Sequence, residues 1–480
     1  MSLGGATMAK NRQIRNDSFV FFSLDELLPQ DHLVRDLEEF MDWNFIYSIC
    51  DPLYSDFGAN RIDPVVLFKL MMINIIFGIH SMRKTCEEVQ VNIAYRWFLG
   101  LSFEDKVPDH STFSQNYIRK FRDNDVAIKI FMHIIEVLKK EGIIDLTTVY
   151  TDGTHLKANA NKNKYENKEV EIAAKLYQQE LNEEIDKDRE KHHKKQLKKK
   201  EENPKTKNIK TSRNDPDCGY FHKGEKERCF AYNVNTSCDK NGYILAMYVE
   251  PGNVHDSQAF FGLYGRLKCW YGEAIKKHVA DAGYISPVIS KLIKDNEQTL
   301  YIPYKRPMTK KGLFKKYEYV YDEYYDCYLC PNEKVLSYRT TTREGYKEYV
   351  SNPKECKECP LRSRCTESKN QQKVIQRHVW EEYKEEFMDE VRHSPEWKEI
   401  YPKRKETIER VFADGKRRHG LDYTLYTGKE AVEFHTLLIY AGMNIKKYAK
   451  YMKKIKDKYA QKSRNSDKNR EVVGKMRLLG

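Results

Sequence analysis

The chain has 480 residues and a net charge of +13, with 84 Lys and Arg against 71 Asp and Glu. Because 40% of its residues are hydrophobic, it can build folded cores, and wholesale disorder is excluded. The longest uncharged stretch near the N-terminus, residues 70–82, is too short for a membrane span of about 20 apolar residues, and no secretory signal is recognisable. The basic balance is typical of proteins with an anionic partner, most commonly nucleic acid.

The N-terminal third is predicted to be helical. Residues 1–16 have the composition of a tag or leader with a disordered start, and we leave them out of the fold. Residues 17–143 predict a helical domain that binds DNA or dimerises, with helices over 64–79 and 82–98. Basic residues at the helix ends, such as Arg119, are compatible with a DNA-binding helix-turn-helix, although ordinary helix packing gives this pattern more often.

From residue 144 the periodicity changes to that of short strands. Residues 144–151 (IDLTTVYT) predict a strand that ends on Asp152, and Asp281 follows another short strand. Four further elements are predicted: strands over 232–237 and 243–249 joined by a turn at 239–242, a helix over 257–267, and a strand over 278–280.

The positive charge is concentrated in two segments. Residues 191–213 hold ten basic residues against two acidic ones, within an insert over 161–217 whose first part, 169–196, has helical composition. Residues 445–480 hold thirteen basic residues against three acidic ones, which predicts a basic tail over 446–480. Both segments are typical of solvated, mobile chain, and contact with a DNA backbone is the alternative.

Three acidic residues are candidate ligands for divalent cations. Asp152 and Asp281 end strands, and Glu409 lies in a predicted helix among basic residues. Carboxylates are the hard ligands that bind a pair of divalent cations about 3.5–4 Å apart, which is the arrangement used for metal-assisted phosphoryl transfer. Arg and Lys nearby suit a phosphodiester backbone. The three residues together therefore predict a nucleic-acid-cleaving site.

Each carboxylate also has an ordinary structural explanation. Asp before Gly, as at Asp152, commonly starts a turn, and Asp281 has a similar context. Glu409 pairs equally well with Arg410 or Lys405 on its own helix. Asp256 is a further candidate near the site, and an N-cap role for the following helix explains it as well.

The motifs around these residues resemble those of bacterial insertion-sequence DDE transposases, in the branch with a Tyr-Arg-Glu-Lys signature. The resemblance covers nearly the whole chain. The motifs are RIDPVVLFKLMMINIIFGIHSMR, RWFLGL and PDHSTFS in the N-terminal domain, and TDGTHLKANANK, GNVHDSQ, VADAGY and YPKRKETIERVFADGKRRHG in the core.

This resemblance implies an α/β fold with a ribonuclease H-like mixed-sheet catalytic core, in two parts over 144–281 and 401–445, and an insertion over 282–400 between them. It implies a catalytic, metal-binding triad and three DNA-binding signature residues. The triad is Asp152, Asp281 and Glu409, and the signature residues are Tyr401, Arg404 and Lys416. Four residues separate Arg404 from Glu409 where the family has three, so Lys405 has the usual spacing instead.

The insertion contains a cysteine cluster typical of a structural zinc site. Of eleven cysteines, five lie in 327–365, including the Cys-x-x-Cys of Cys356 and Cys359 followed by Cys365. Cys327 and Cys330 compete as fourth ligand, and Cys330 is favoured because Cys-Pro resembles the family pattern. The scattered remaining cysteines are interpreted as buried free thiols.

The sequence therefore predicts a transposase that binds the terminal inverted repeats of its element and joins them to target DNA. Two Mg²⁺ or Mn²⁺ ions per active site and a structural Zn²⁺ are expected, with a homodimer on DNA and a cytoplasmic, nucleoid-associated location. A catalytically silent DNA-binding regulator and a DNA nuclease without strand joining are the alternatives.

Overall fold

The computed structural model describes residues 22–54, 62–171, 178–197, 206–223, 227–304 and 309–477. Residues 1–16 of the predicted leader lie outside these ranges. So do parts of the basic insert, at 172–177 and 198–205, and the last three residues of the tail.

The described residues of the N-terminal part, 22–54 and 62–143, contain eight α-helices. They are α1 (Leu24–Leu27), α2 (Leu33–Phe40), α3 (Phe45–Cys50), α4 (Pro64–Ile76), α5 (Met82–Val91), α6 (Ile93–Leu99), α7 (His110–Asn116) and α8 (Val126–Lys140). The carboxylate of Asp63 accepts hydrogen bonds from the amides of Val65 and Val66, so α4 begins where Asp-Pro predicts it.

The helix predicted over 82–98 is two helices, and this prediction was wrong in one respect. Asn92 leaves the helical conformation, ends α5, and accepts hydrogen bonds from the amides of Ala94 and Tyr95 that begin α6. A short polar side chain competes with the helix for these amides, so the chain turns at this residue.

The main sheet has six strands with mixed direction. They are β1 (Thr148–Lys157), β4 (Gly219–Lys223), β5 (Glu227–Cys238), β6 (Ile244–Pro251), β7 (Lys277–Val279) and β8 (Thr299–Tyr301), while β2 (Tyr165–Glu171) and β3 (Thr206–Ser212) form a separate ribbon. β1 pairs antiparallel with β5 and parallel with β7, and β7 pairs parallel with β8. β5 carries β4 and β6 antiparallel to it. The predicted hairpin at 239–242 is confirmed.

Three predicted boundaries differ from the structure. β1 does not end at Asp152 but continues to Lys157, because it pairs with β5 over residues 150–157. Residues 169–171 are the end of β2 instead of helix, since they pair with β3. β8 extends the main sheet to residue 301, past the predicted boundary at 281.

The remaining part of the insertion forms a second sheet. Its five antiparallel strands are β9 (Val320–Asp322), β10 (Cys327–Leu329), β11 (Val335–Thr341), β12 (Tyr346–Ser351) and β13 (Val374–His378). The core of this sheet is small, with six buried side chains: Phe314, Tyr319, Tyr328, Leu336, Tyr349 and Ile375.

Nine more α-helices lie in the described residues after the N-terminal part. They are α9 (Gln178–Lys191), α10 (Asp256–Tyr271), α11 (Pro287–Asp295), α12 (Pro353–Lys357), α13 (Arg362–Cys365), α14 (Glu381–Glu385), α15 (Pro395–Ile400), α16 (Ile408–Arg418) and α17 (Lys429–Arg477). The predicted tail is not a separate segment, because α17 continues through it from the core. Within the described ranges no helix has the length and apolar character to cross a membrane.

The N-terminal helices and the main sheet share one hydrophobic core. Helix α17 packs against α2, α4, α8 and β6 and joins the two parts. The carbonyl groups that end α4 are also bound from the core, since Ile75 O lies 2.8 Å from His419 Nδ1 and Ile76 O accepts from Lys446 Nζ at 3.0 Å. The helical part therefore packs directly against the sheet that carries the candidate site.

Candidate active site

The register of the main sheet brings two of the predicted carboxylates to the same level. The last residue pair between the parallel strands β1 and β7 is Tyr150 with Val279. Asp152 lies two residues after Tyr150, and Asp281 lies two residues after Val279. Because the two strands run in the same direction, both aspartates lie just beyond the last paired residues, at the same end of the two strands.

Asp281 is positioned by the turn that follows its strand. Its Oδ1 atom accepts a hydrogen bond from the amide of Gly283 at 2.7 Å and starts a 3₁₀ turn over Ala282–Tyr284. The ordinary Asp-turn interpretation is therefore correct for the backbone at this position, and it leaves the second carboxylate oxygen available for other partners.

The third predicted carboxylate, Glu409, lies in the first turn of α16. Arg404 connects it to Asp152. Arg404 Nη2 is 2.5 Å from Asp152 Oδ2, and Nη1 is 3.1 Å from Glu409 Oε1. The arginine side chain is only 11% exposed, whereas that of Glu409 is 48% exposed. A single buried guanidinium thus stands between two of the three acidic groups and compensates their charge.

The extra residue between Arg404 and Glu409 does not remove the arginine from the site. A 3₁₀ turn over Tyr401–Lys405 precedes α16 and directs Arg404 inward, while Lys405 is exposed. Tyr401 stacks on Trp397 with ring centres 4.6 Å apart, and burial raises the pKa of Tyr401.

Lys416, the last signature residue, lies seven residues after Glu409 in α16 and is exposed. Because two helical turns span about seven residues, Lys416 and Glu409 share one face of the helix. The structure therefore brings Asp152, Arg404 and Glu409 into direct contact and sets Lys416 about two turns away along the same surface.

Burial dominates the electrostatics of Asp152. Desolvation raises the pKa of its carboxyl group to about 6, against the attraction of Arg404, and the charges of Asp281 and Asp256 add to the rise. Without a bound cation the group therefore takes up a proton below about pH 6. A metal ion bound to Asp152 would have to displace that proton, so cation binding should weaken in acid.

A fourth carboxylate, Asp256, lies between the two aspartate motifs. It is not the N-cap of α10, because His255 takes that position and accepts from the amide of Ser257. A Cβ atom added at Gly153 would lie 2.6 Å from Asp256 Oδ1, and one added at Gly283 would lie 3.7 Å from Asp256 Oδ2. Gly153 is thus required by the close approach of this carboxylate, and not by a turn.

The acidic cluster suits a pair of hard cations in its donor set. The four carboxylates come from a strand, a turn and two helix starts, and no three of them have ligand atoms that all lie within 4.8 Å of one another in the described structure. The buried Oδ1 atom of Asn233 beside Asp256 has no hydrogen-bond partner within the described ranges. Ligands of a two-metal centre do not all have to contact one ion. Arg404 occupies the space between Asp152 and Glu409, so this pair can share a cation only if the guanidinium moves.

The predicted zinc cysteines surround one small pocket. Cys330, Cys356, Cys359 and Cys365 line a cavity of about 30 Å³ next to the second sheet. Cys327 does not line it; this residue is buried in β10, and burial raises the pKa of its thiol, with Asp322 and Asp326 adding to the rise. Cys330 follows β10, Cys356 lies in α12, Cys359 lies between α12 and α13, and Cys365 ends α13. Ligands from several short elements are typical of a structural metal site that stabilises a small fold.

A second candidate metal group, which the sequence did not suggest, has a different explanation. Asp188, His192 and Asp326 are the one set in the described part of the chain whose ligand atoms all lie within 4.8 Å of one another. Lys347 Nζ is 2.7 Å from Asp188 Oδ1 and 3.7 Å from Asp326 Oδ2. A lysine ammonium therefore already compensates both carboxylates, and the group is an internal ion-pair network that joins α9 to the second sheet.

Replacing Lys347 by Met should destabilise this junction by about 3–5 kcal/mol, because two buried carboxylates lose their cation. Arg339→Met is the matched control: Arg339 pairs with Glu348 on the same sheet but is 49% exposed, so its loss should cost about 1 kcal/mol or less. Urea denaturation measures both variants. Equal, small losses would contradict the network.

Two family models match separate parts of the chain. Residues 22–119 match a family described as Transposase domain (DUF772), and residues 329–449 match one described as Transposase DDE domain. Neither the search of curated proteins nor that of solved structures found a match. The two matches support an insertion-sequence DDE transposase. A DDE domain uses divalent metal ions and acts on DNA, whereas the Tyr-Arg-Glu-Lys branch stays a prediction.

Proposed function

We propose that this chain binds the terminal inverted repeats of its own element, cleaves the DNA ends, and joins the free 3′-hydroxyl to target DNA. Asp152, Asp281 and Glu409 would hold two Mg²⁺ or Mn²⁺ ions in a ribonuclease H-like core. The observation that carries the proposal is the position of Asp152 in β1 and of Asp281 two residues after β7, the parallel neighbour of β1, with Glu409 connected to Asp152 through Arg404.

Bound divalent cations would activate the attacking oxygen and stabilise the leaving one. The chain itself supplies the surroundings. Asp152 is ionised at neutral pH, since its pKa is about 6, and is then ready to accept a cation. Arg404 would move from the carboxylates to a DNA phosphate, to which a guanidinium binds in a bidentate manner. Lys416, on the exposed face of α16, would bind a neighbouring phosphate, and Tyr401 would contact a base or phosphate of the donor end.

A structural zinc ion bound by Cys330, Cys356, Cys359 and Cys365 is part of the proposal. Support comes from their position around one pocket and from the small hydrophobic core of the second sheet, which needs additional fastening. Four thiolates leave no position for water, so this ion would take no part in cleavage.

DNA affinity independent of sequence would come from the basic surface, including the mostly exposed stretch 451–462 of α17. End specificity would come from the N-terminal helices and the second sheet. Because two element ends must be held together, we expect a homodimer on DNA, at the nucleoid in the bacterial cytoplasm.

Asp281→Asn tests the enzymatic part directly. With Mg²⁺ and a DNA duplex that carries the element end, the variant should cleave at least about 1,000-fold more slowly than wild type, a loss of about 4 kcal/mol of transition-state stabilisation. Its DNA affinity in a mobility-shift assay should stay within about threefold, because phosphate contacts dominate binding.

Asp217→Asn is the matched control, since Asp217 accepts from the amide of Lys429 at the start of α17, and Asn can accept there as well. Binding without cleavage by the wild type would favour the silent regulator. Cleavage without strand transfer to a target plasmid would favour the nuclease.

A further inference from the structure

We infer that Asp256 is a fourth carboxylate of the metal centre, and that it holds a divalent cation together with the side-chain oxygen of Asn233. The inference rests on the proposed function. Neither residue belongs to the Asp-Asp-Glu triad, and the sequence favoured an N-cap role for Asp256 at least as strongly.

The position of the Asp256 carboxylate is the first argument. One oxygen closely approaches Gly153, directly after Asp152, and the other faces Gly283, two residues after Asp281. The carboxylate therefore stands between the two aspartate motifs, although the three aspartates do not bring one ligand atom each within 4.8 Å of one another in the described structure. A cation would draw their oxygen atoms together on binding. At Gly153 a side chain has no space, because a Cβ atom would lie 2.6 Å from Asp256 Oδ1 and 3.0 Å from Asn233 Oδ1.

The orientation of Asn233 is the second argument. Its Nδ2 group donates to Asp256 Oδ1 at 2.8 Å and to Val254 O at 3.2 Å, which uses both amide hydrogens and defines which end of the amide is the oxygen. Its Oδ1 atom is left without a hydrogen-bond partner in the described structure, although the residue is fully buried. Buried acceptors of this kind normally have a partner, and a cation or its bound water would satisfy this one.

The third argument is that Asp256 is not needed as the cap of α10. His255 already caps α10. The hydrogen bond from Asn233 occupies one carboxylate oxygen, while the other faces the Asp281 turn. Maintaining an additional negative charge beside Asp152 and Asp281 costs free energy in the absence of a cation, because like charges repel. A cation bound beside Asp256 would offset this cost.

Mn²⁺ binding to the full chain, followed by electron paramagnetic resonance of free Mn²⁺, tests the inference without reference to activity. Asp256→Asn should weaken Mn²⁺ binding by at least about tenfold. Asp217→Asn, which changes a carboxylate away from the cluster, should leave binding unchanged. Circular dichroism of each variant establishes that it is folded. Wild-type Mn²⁺ affinity in the Asp256→Asn variant would overturn the inference.

Asp256→Cys separates direct ligation from a purely structural role. Thiolate binds the hard Mg²⁺ ion poorly and accepts Mn²⁺ more readily, so the variant's cleavage rate should rise at least about tenfold on changing Mg²⁺ to Mn²⁺, after correction for the same change in wild type. A structural role predicts no such metal dependence, and its absence would also overturn the inference. If wild type cleaves no element end at all, the proposed function fails, while the Mn²⁺ titration still decides the role of Asp256.

Discussion

Asp152→Asn should abolish DNA cleavage and at the same time make the metal-free protein more stable than wild type at neutral pH. Burial raises the pKa of the Asp152 carboxyl from 3.8 to about 6. The folded state therefore binds this proton more tightly than the unfolded state. The stability that the proton contributes is complete below about pH 4 and is lost as the pH rises through about 6. An Asn side chain does not ionise, so the variant does not lose this stability as the pH rises.

The difference of about two pKa units corresponds to about 3 kcal/mol. Between pH 4 and pH 7.5, the unfolding free energy of the Asn variant should therefore improve relative to wild type by about this amount. Urea denaturation at both pH values in the presence of EDTA measures it. Addition of Mn²⁺ should then stabilise wild type but not the variant, because only the wild type retains the ligand.

Asp145 offers a control of opposite sign. Burial raises the pKa of Asp145, but hydrogen bonds from Thr147 and Lys240 outweigh burial, and the pKa is lowered. Asp145→Asn should therefore lose stability relative to wild type as the pH rises. If the Asp152 and Asp145 variants show the same pH dependence, the assignment of the shift to burial at Asp152 is wrong.

Cys356→Ser should remove about one equivalent of zinc per chain and unfold the second sheet. The apparent binding energy of structural zinc reaches about 10–16 kcal/mol in small domains, which exceeds what six buried side chains can replace. Metal analysis of the purified protein measures the zinc. Limited proteolysis should show new cleavage between residues 309 and 378, while the main sheet stays resistant.

Three control variants define the zinc ligands. Cys330→Ser should behave as Cys356→Ser does. Cys327→Ser should keep its zinc, because Cys327 lies outside the pocket, and so should Cys269→Ser, which changes an exposed thiol in α10. Zinc retained by Cys356→Ser, or lost from Cys327→Ser alone, would contradict the proposed ligand set.

The helices and strands with strong local signals could be predicted from sequence. Asp63-Pro64 starts α4, and the turn at 239–242 joins two strands, because each is determined by backbone and side-chain groups only a few residues apart. Predictions failed where a distant partner decides the conformation. Asp152-Gly153 has the composition of a turn, yet it lies inside a strand because β5, some 80 residues later, supplies the pairing.

The candidate site divides in the same way. The residue types and motifs named Asp152, Asp281, Glu409 and the four cysteines around the pocket. They could not decide whether Arg404 or Lys405 points into the site, because one extra residue separates Arg404 from Glu409. The 3₁₀ turn before α16 turns the Arg404 side chain inward. Nor could they reveal that Asn233 and Asp256 stand beside Asp152, since this depends on contacts between β1, β5 and α10.

The uneven distribution of the net charge is a property of the sequence alone, and so is the set of carboxylates, basic residues and cysteines from which the chemistry can be built. Only the tertiary structure decided which of these groups meet. The reason is that sheet register and helix packing bring together side chains separated by more than a hundred residues, and their burial then changes their charge state. The basic tail illustrates this well: composition predicts a mobile segment, whereas its first part continues α17, which packs between the helices and the sheet.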